Sequence, residues 1–225
     1  MILDLHTHTR WSFDGAMDPA RLVRVARARG LDGIAVTDHD EIEGALEAQR
    51  AAGGDLLVIV GEEIGTDAGD ILGLFLRERI RTRDPLDAVR AIHEQGGLAV
   101  LAHPFTKNVS VEDRVARAVD ACEGFNARHS RGEPVEERVA SFARAYGLAL
   151  TAGSDAHVYR DVGRGRTIVP AASLGEAREL IRRGHTVLWG RRTTVLDRWV
   201  RAARRFFRRL GRTGDWASET GRAGR

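Results

Sequence analysis

The chain of 225 residues contains one cysteine and no long apolar stretch. Because Cys122 has no second cysteine with which to pair, an intramolecular disulfide is excluded. Proteins of reducing compartments usually lack disulfides. No leader with a charged and then an apolar segment precedes the first predicted strand. No stretch reaches the eighteen or so consecutive apolar residues of a transmembrane helix. We therefore expect a cytoplasmic protein without an integral membrane segment.

The charge of the chain is unevenly distributed. The segment 189–225 holds eleven arginines against three acidic residues, a charge of +8, so the rest of the chain carries −5 of the net +3. The excess of basic residues therefore belongs to a C-terminal appendage and does not indicate a nucleic-acid-binding fold. We predict one domain over residues 1–190, a basic amphipathic helix over 191–212 and a disordered tail over 213–225.

Seven short runs rich in Val, Ile and Leu are typical of buried parallel strands. They cover residues 2–5, 33–37, 56–60, 71–76, 98–102, 119–125 and 148–152. Helical patterns lie between most of them, and two begin with Asp-Pro, an N-cap followed by a first-turn proline, at Asp18 and Asp84. This alternation predicts an α/β protein with a parallel sheet, either a barrel or a doubly wound sheet.

The stretch LDLHTHTRWSFDG places His6, His8 and Asp14 directly behind the first predicted strand. Since alternate side chains of a strand point to the same face, His6 and His8 project together. Two imidazoles in this arrangement are suited to binding a metal ion, although a solvated pair of histidines at a strand end would look the same.

Further candidate ligands follow other predicted strands. They are His39 in TDHD, Glu63 in GEE, His103 in AHP, and Asp155 with His157 in GSDAH. In parallel α/β folds functional groups collect at the C-terminal edge of the sheet, so these residues should converge. Histidine and carboxylate without cysteine suit zinc, manganese or iron, and so many ligands indicate two or three ions. Asp38 and Asp40 are expected to orient His39, and Glu62 to point away.

The ordered set DLHTHT, SFDG, TDHD, GEE, AHP and GSDAH resembles the PHP family, named for polymerase and histidinol phosphatase domains. The motifs span residues 3–157. The resemblance implies a stand-alone metal-dependent phosphoesterase on a distorted seven-stranded (β/α) barrel, similar to a TIM barrel.

The resemblance also implies a role for each ligand. His6, His8, Glu63 and Asp155 would hold one ion, and Glu63 would bridge to a second that His103 also binds. Asp14, His39 and His157 resemble the ligands of a third. Asp70, in AGDILG, stands where the family commonly has a histidine and completes the set for the second ion.

The mechanism that the resemblance implies is attack of a metal-bridging hydroxide on phosphorus. His157, His39 and Asp155 are the candidate catalytic residues, with either histidine able to protonate the leaving oxygen. After the sixth strand, Arg128 and Asn126 are candidate substrate ligands, because a guanidinium can hold two phosphate oxygens.

The expected substrate is a nucleotide or a short oligonucleotide, and a small-metabolite phosphomonoester is the alternative. Two other classes remain open: a catalytically silent PHP binding module and a cyclic amidohydrolase. The predicted arginine-rich helix covers the barrel in the simplest interpretation, and it could instead contact RNA or an anionic membrane.

Overall fold

The computed structural model describes residues 1–105, 111–128 and 135–193. The chain divides into two units, Met1–Arg192 and Thr193–Arg225, of which the first is treated below. The predicted tail lies outside the described residues, as does the predicted basic helix apart from its first three positions. None of the described helices combines the length and the apolar character needed to cross a bilayer.

The described residues form nine strands and six α-helices. The strands are β1 (Ile2–Thr7), β2 (Gly33–Val36), β3 (Leu57–Thr66), β4 (Gly69–Leu74), β5 (Leu98–Leu101), β6 (Ala121–Asn126), β7 (Ala149–Gly153), β8 (Gly165–Ile168) and β9 (Val187–Gly190). The helices are α1 (Pro19–Ala28), α2 (Glu43–Ala52), α3 (Pro85–Glu94), α4 (Asp113–Ala116), α5 (Val135–Tyr146) and α6 (Leu174–Arg182).

The strands form one sheet in the order β7-β6-β5-β4-β3-β2-β1-β8-β9, curled into a nearly closed barrel. The α/β barrel prediction is therefore confirmed. The all-parallel arrangement was wrong, because β4 runs antiparallel to both β3 and β5, and β8 runs antiparallel to β1 and β9. Only Asp67 and Ala68 connect β3 to β4, and a parallel crossover needs a dozen or more residues.

The third strand is longer than its apolar run predicts. Pairing with β4 extends it from Val60 to Thr66, with Glu63 opposite Leu72. Glu63 therefore lies within a paired strand and not just beyond its end. The two-stranded pairing fixes the position of this side chain more firmly than a loop would.

The two helices that follow Asp-Pro begin where the sequence predicts. The carboxylate of Asp18 accepts a hydrogen bond from the Arg21 amide at the start of α1. Asp84 accepts from the amides of Leu86 and Asp87 at the start of α3. Each bond satisfies amides that a helix N-terminus leaves without a partner. The apolar faces of α1, α2, α3 and α5 pack on the strands in one core cluster, and α6 contributes to a second.

The barrel closes at a seam where two glycines bring β7 and β8 together. The hydroxyl of Thr167 in β8 accepts from the Ala152 amide at 2.8 Å and donates to the Ala152 carbonyl at 2.9 Å. A β-carbon added to Gly165 would lie 2.0 Å from the carbonyl oxygen of Gly153. Only glycine permits this approach.

We expect Gly165→Ala to lower the free energy of unfolding by about 1–3 kcal/mol or more, because the new methyl overlaps the Gly153 backbone. Gly175→Ala is the matched control, since an added β-carbon there meets no atom within 4 Å. Urea unfolding followed by circular dichroism measures both. Equal stability of the two variants would contradict the close contact at the seam.

Candidate metal centre

The structure brings the predicted metal ligands together in three overlapping groups. Within each group the ligand atoms all lie within 4.8 Å of one another. The groups are His8, Asp14, His39 and His157; His6, His8 and Glu63; and Glu63, Asp70 and His103. The ninth residue, Asp155, lies beside them, with Oδ1 3.6 Å from Nε2 of His8 and 3.3 Å from Nδ1 of His157.

Glu63 belongs to both the second and the third group. Its Oε2 lies 3.2 Å from Nε2 of His6, Nε2 of His8 and Nδ1 of His39. Its Oε1 lies 2.9 Å from Nε2 of His103. Burial alone would raise the pKa of the Glu63 carboxyl, but the surrounding histidines hold it well below its usual range. A carboxylate with a different oxygen toward each group is suited to bridging two cations.

The outer nitrogens of three histidines are fixed by neighbouring oxygens. Nδ1 of His6 lies 3.0 Å from Oε1 of Glu123, and Nδ1 of His8 lies 3.0 Å from Oγ of Ser12. Nδ1 of His157 lies 3.0 Å from the carbonyl oxygen of Asp155. Such contacts favour the tautomer with a proton on Nδ1, which leaves a lone pair on each Nε2 directed inward.

These contacts fit a divalent cation. Nε2 of His6 and Nε2 of His8 lie 3.0 Å apart, and both face the Glu63 carboxylate. Lone pairs that meet at this distance repel one another unless a proton or a metal ion lies among them. Ligand atoms bonded at about 2.1 Å to one ion are separated by roughly 3 Å, which agrees with this spacing.

The third predicted site centres on Asp14, in the loop after β1. Its Oδ2 lies 2.8 Å from Nε2 of His157, and its Oδ1 lies 3.6 Å from Nε2 of His39. Burial opposes ionisation, but His157, His8 and His39 lower the pKa of this carboxyl. The carboxylate is therefore ionised at neutral pH and available as a ligand.

The second predicted site combines Glu63, His103 and Asp70. Nε2 of His103 lies 3.8 Å from Oδ2 of Asp70, which belongs to β4 and is 31% exposed. Burial would lower the pKa of His103, but Glu63, with Asp155 and Glu123, raises it to about 9. Aspartate in place of the family's usual histidine thus still reaches the group that Glu63 and His103 form.

Two residues of the centre have backbone angles that side-chain-bearing residues rarely adopt. His103 has φ of 31° and Asp155 has φ of 49°. Such conformations cost on the order of 1–3 kcal/mol each and persist where the surroundings enforce them. The amide of His103 donates to Oε2 of Glu123 at 2.8 Å, which is one of the contacts that maintain the turn.

The two candidate substrate ligands occupy different environments. Arg128 is 29% exposed, and its Nη1 lies 3.0 Å from Oδ1 of Asp155 and 3.0 Å from Nε2 of His157. Asn126 is fully buried: its amide donates to Glu123 at 2.9 Å, and its oxygen accepts from the Arg128 backbone. The hydrogen bonds of Asn126 thus position neighbouring residues, whereas Arg128 reaches the edge of the centre.

Three acidic residues next to the ligands have structural partners. Asp38 accepts hydrogen bonds from the amide and the hydroxyl of Thr9 at 2.5 and 2.6 Å, and Asp40 accepts from the Gly65 amide. The expectation that these two orient His39 is thus not met, since their bonds fix the backbone around it. Glu62 points away, as expected, and accepts from the Ile80 amide.

Glu123 is the buried residue that the sequence analysis overlooked. It accepts hydrogen bonds from the Asn126 side chain and the His103 amide, and it lies against Nδ1 of His6. Burial would raise its pKa, but His6 and His103 lower it. An acidic residue inside the apolar run VDACEGF was the available signal, because an unpaired carboxylate is rarely buried in a strand.

Comparison with known proteins assigns the chain to a family. An uncharacterized protein of Methanocaldococcus jannaschii is 35% identical over 146 residues, which are 59% of this chain and 85% of the relative. The family model described as PHP-associated matches residues 136–186, from α5 to the residue before β9. The chain belongs to the PHP family.

A solved structure shows that the PHP fold extends over most of the chain. It is a two-domain protein of Bacteroides vulgatus described as containing a predicted PHP-like metal-dependent phosphoesterase. The TM-score is 0.71 at 20% identity, covering 84% of this chain and 64% of the other. A shorter match, 43% identical over 65 residues, is to a 5′-3′ exoribonuclease of Haemophilus influenzae; it covers 28% of this chain and 23% of that protein.

We expect Glu123→Gln to weaken manganese binding by about 10- to 100-fold, because an amide has one acceptor oxygen where the carboxylate offers two. The variant must leave either the His6 contact or the His103 amide without an acceptor. Calorimetric titration of the metal-free protein measures the affinity. Glu137→Gln, at an exposed position of α5, is the control, and an equal affinity of both variants would contradict the positioning role.

We expect the metal-free protein to lose stability as the pH rises. The pKa of His103 is about 9 in the folded protein and 6.5 in an unfolded chain. The stabilisation from its positive charge is therefore fully present below pH 6.5 and is lost as the pH rises through about 9. The free energy of unfolding should fall by up to about 3 kcal/mol in this interval. Urea unfolding in EDTA tests this, and His103→Asn should flatten the profile; an unchanged profile in the variant would refute the assignment.

Proposed function

We propose that the protein hydrolyses phosphoesters of nucleotides or short oligonucleotides with the help of two or three bound divalent ions of manganese, zinc or iron. One observation carries the proposal. The Glu63 carboxylate lies between four histidines from three separate segments, within 2.9–3.2 Å of each. A purely structural role would not require so many titratable groups around one buried oxygen pair.

Bound divalent ions would supply an activated water molecule and neutralise negative charge on a phosphoester. The protein residues hold the ions and set their surroundings. Glu63 would hold ions at neighbouring positions with its two oxygens, and the contacts of Glu123 and Ser12 with Nδ1 of His6 and His8 would leave each Nε2 as the ligand atom. These oriented groups lower the cost of reorganising the site during the reaction.

Arg128 is proposed as the ligand of the substrate phosphate. Burial would lower its pKa, but Asp155 and Asp14 raise it, so the guanidinium stays charged. The side chain is partly exposed and borders the group that contains Asp14 and His157. A guanidinium at this place can bind two phosphate oxygens and orient the ester.

With two ions bound, His39 and His157 are the proposed proton donors to the leaving oxygen; a third ion would occupy these histidines and stabilise that oxygen in their place. His39 is 19% exposed and His157 is 3% exposed. A leaving group that departs toward solvent therefore meets His39 first. The similarity of 65 residues to a 5′-3′ exoribonuclease supports the nucleotide or oligonucleotide class, and a small-metabolite phosphomonoester is the alternative.

The decisive experiment offers the manganese-loaded protein a 5′-phosphorylated short RNA and a set of small phosphomonoesters, with Asp155→Ala as the control. Nucleotides released from the RNA establish a phosphodiesterase. Inorganic phosphate from the small esters alone establishes a metabolite phosphatase. Absence of any product that depends on Asp155, in protein that retains metal, would overturn the proposal in favour of a silent binding module.

In the same assay we expect Arg128→Lys to reduce kcat/KM by about 10- to 100-fold, since lysine keeps the charge but loses the two-pronged contact. Arg114→Lys, on the exposed face of α4, should retain the activity of the unaltered protein. Equal rates for both variants would contradict the proposed role of Arg128 as the phosphate ligand.

A further inference from the structure

Phe13 is an exposed aromatic residue at the edge of the metal centre. In the described part of the chain four large apolar side chains are exposed: Trp11, Phe13, Val187 and Trp189. Phe13 is the most exposed of them at 80%, yet it lies between Ser12 and Asp14, which contact His8 and His157 within the centre. Its place beside the metal ligands, and not its exposure alone, makes Phe13 a candidate contact for a ligand bound at the centre.

The loop that carries Phe13 is held in place. The amide of Arg10 donates to the carbonyl of Met17 at 2.8 Å, and that of Gly15 donates to the carbonyl of Ser12 at 3.2 Å. A β-carbon on Gly15 would lie only 1.6 Å from the carbonyl oxygen of Thr9, so the loop folds tightly on itself. Phe13 is therefore presented by an ordered turn.

Neighbouring side chains strengthen this turn. Nη2 of Arg10 donates to both carboxylate oxygens of Glu47, at 2.6 and 2.8 Å. The indole of Trp11 donates to the same carboxylate at 3.0 Å. These contacts join the loop to α2. The ring of Phe13 is thus positioned before any ligand arrives, which lowers the entropic cost of binding.

One face of the Phe13 ring is supported by the centre itself. The rings of Phe13 and His39 are stacked, with centroids 4.8 Å apart and planes 27° apart. Since the side chain is nevertheless 80% exposed, the opposite face is open to solvent. Such an open face can take a second flat ring, and an aromatic face stacks with all four nucleobases.

The phosphate-binding groups lie within reach of this ring. Asp14 follows Phe13 directly in the chain, and its Oδ2 lies 4.0 Å from Nη2 of Arg128. A phosphate held by Arg128 beside Asp14 therefore lies next to residues that adjoin Phe13, Asp14 through the chain and His39 through ring stacking. In a nucleotide the sugar connects such a phosphate to a base nearby.

We propose that Phe13 is a stacking platform for the nucleobase next to the scissile phosphate and so determines the preference for nucleotides over other phosphoesters. The inference rests on the proposed phosphoester hydrolysis at the same centre. Because stacking reads the flat face and not the edges of a base, the platform accepts different bases. Phe13 acts on substrate binding and takes no part in proton transfer.

The test compares matched ligands that differ only in the base, with manganese-loaded protein of full length. The hydrolysis pair is a 5′-phosphorylated short oligonucleotide and the same molecule without its 5′-terminal base. The binding pair is adenosine 5′-monophosphate and ribose 5-phosphate, titrated by calorimetry. The variants are Phe13→Leu, which keeps apolar bulk without an aromatic face, and Phe13→Trp, which restores one. Trp189→Leu is the control at a distant exposed aromatic residue in β9.

We expect removal of the base, or Phe13→Leu with the base present, to raise KM and the dissociation constant by about 10- to 100-fold with little change in kcat. Phe13→Trp should restore both constants, and Trp189→Leu should leave them unaltered. Equal binding of the two ligands by the unaltered protein would overturn the inference.

A second result would also overturn it. If Phe13→Leu lowers kcat equally for both members of the hydrolysis pair, the ring serves only to pack against His39. Base-dependent binding without any hydrolysis would refute the proposed reaction while supporting the platform. The two proposals therefore fail on different measurements.

Discussion

The placement of one buried carboxylate among four imidazoles is the constraint on which the rest of the structure depends. Glu63 lies in a strand paired on both sides, and its two oxygens meet His6, His8, His39 and His103. Charge in such a place is stable only when opposite charge accompanies it, as a proton or as a metal ion. The barrel supplies these partners because β1, β2 and β5 all end around the same point. Folding and ion binding are therefore parts of one equilibrium.

The surroundings of the ligands show how this equilibrium is biased. Glu123 and Ser12 occupy the outer nitrogens of His6 and His8, so the lone pairs of these rings face inward. The left-handed turns at His103 and Asp155 add backbone strain at the places where ligands leave their strands. A protein under no functional demand would relax these turns, because they oppose stability. Their presence beside the oriented histidines indicates a centre in which ligand geometry takes precedence over stability.

Much of this arrangement could be predicted from local patterns. All seven apolar runs are strands, the Asp-Pro pairs begin α1 and α3, and the residues predicted as ligands meet in space. What escaped prediction depends on pairing between distant segments. The direction of β4 follows from a two-residue turn, and the role of Glu123 follows from His6, 117 residues away. An apolar run alone does not specify its neighbour in a sheet, nor does a single acidic residue reveal which imidazole it contacts.

The place of β1 in the sheet has a consequence for the order in which the protein matures. This strand is synthesised before the other eight, but it pairs with β8 on one side, and the amide of the next residue, His8, donates to the carbonyl of Ala156, beyond β7. Asp155 and His157 can therefore contact His6 and His8 only after most of the chain has been synthesised. An incomplete chain presents a pair of histidines but lacks the enclosing shell. Tight retention of metal thus reports that the barrel has closed, and it makes metallation a late event that distinguishes finished molecules from nascent ones.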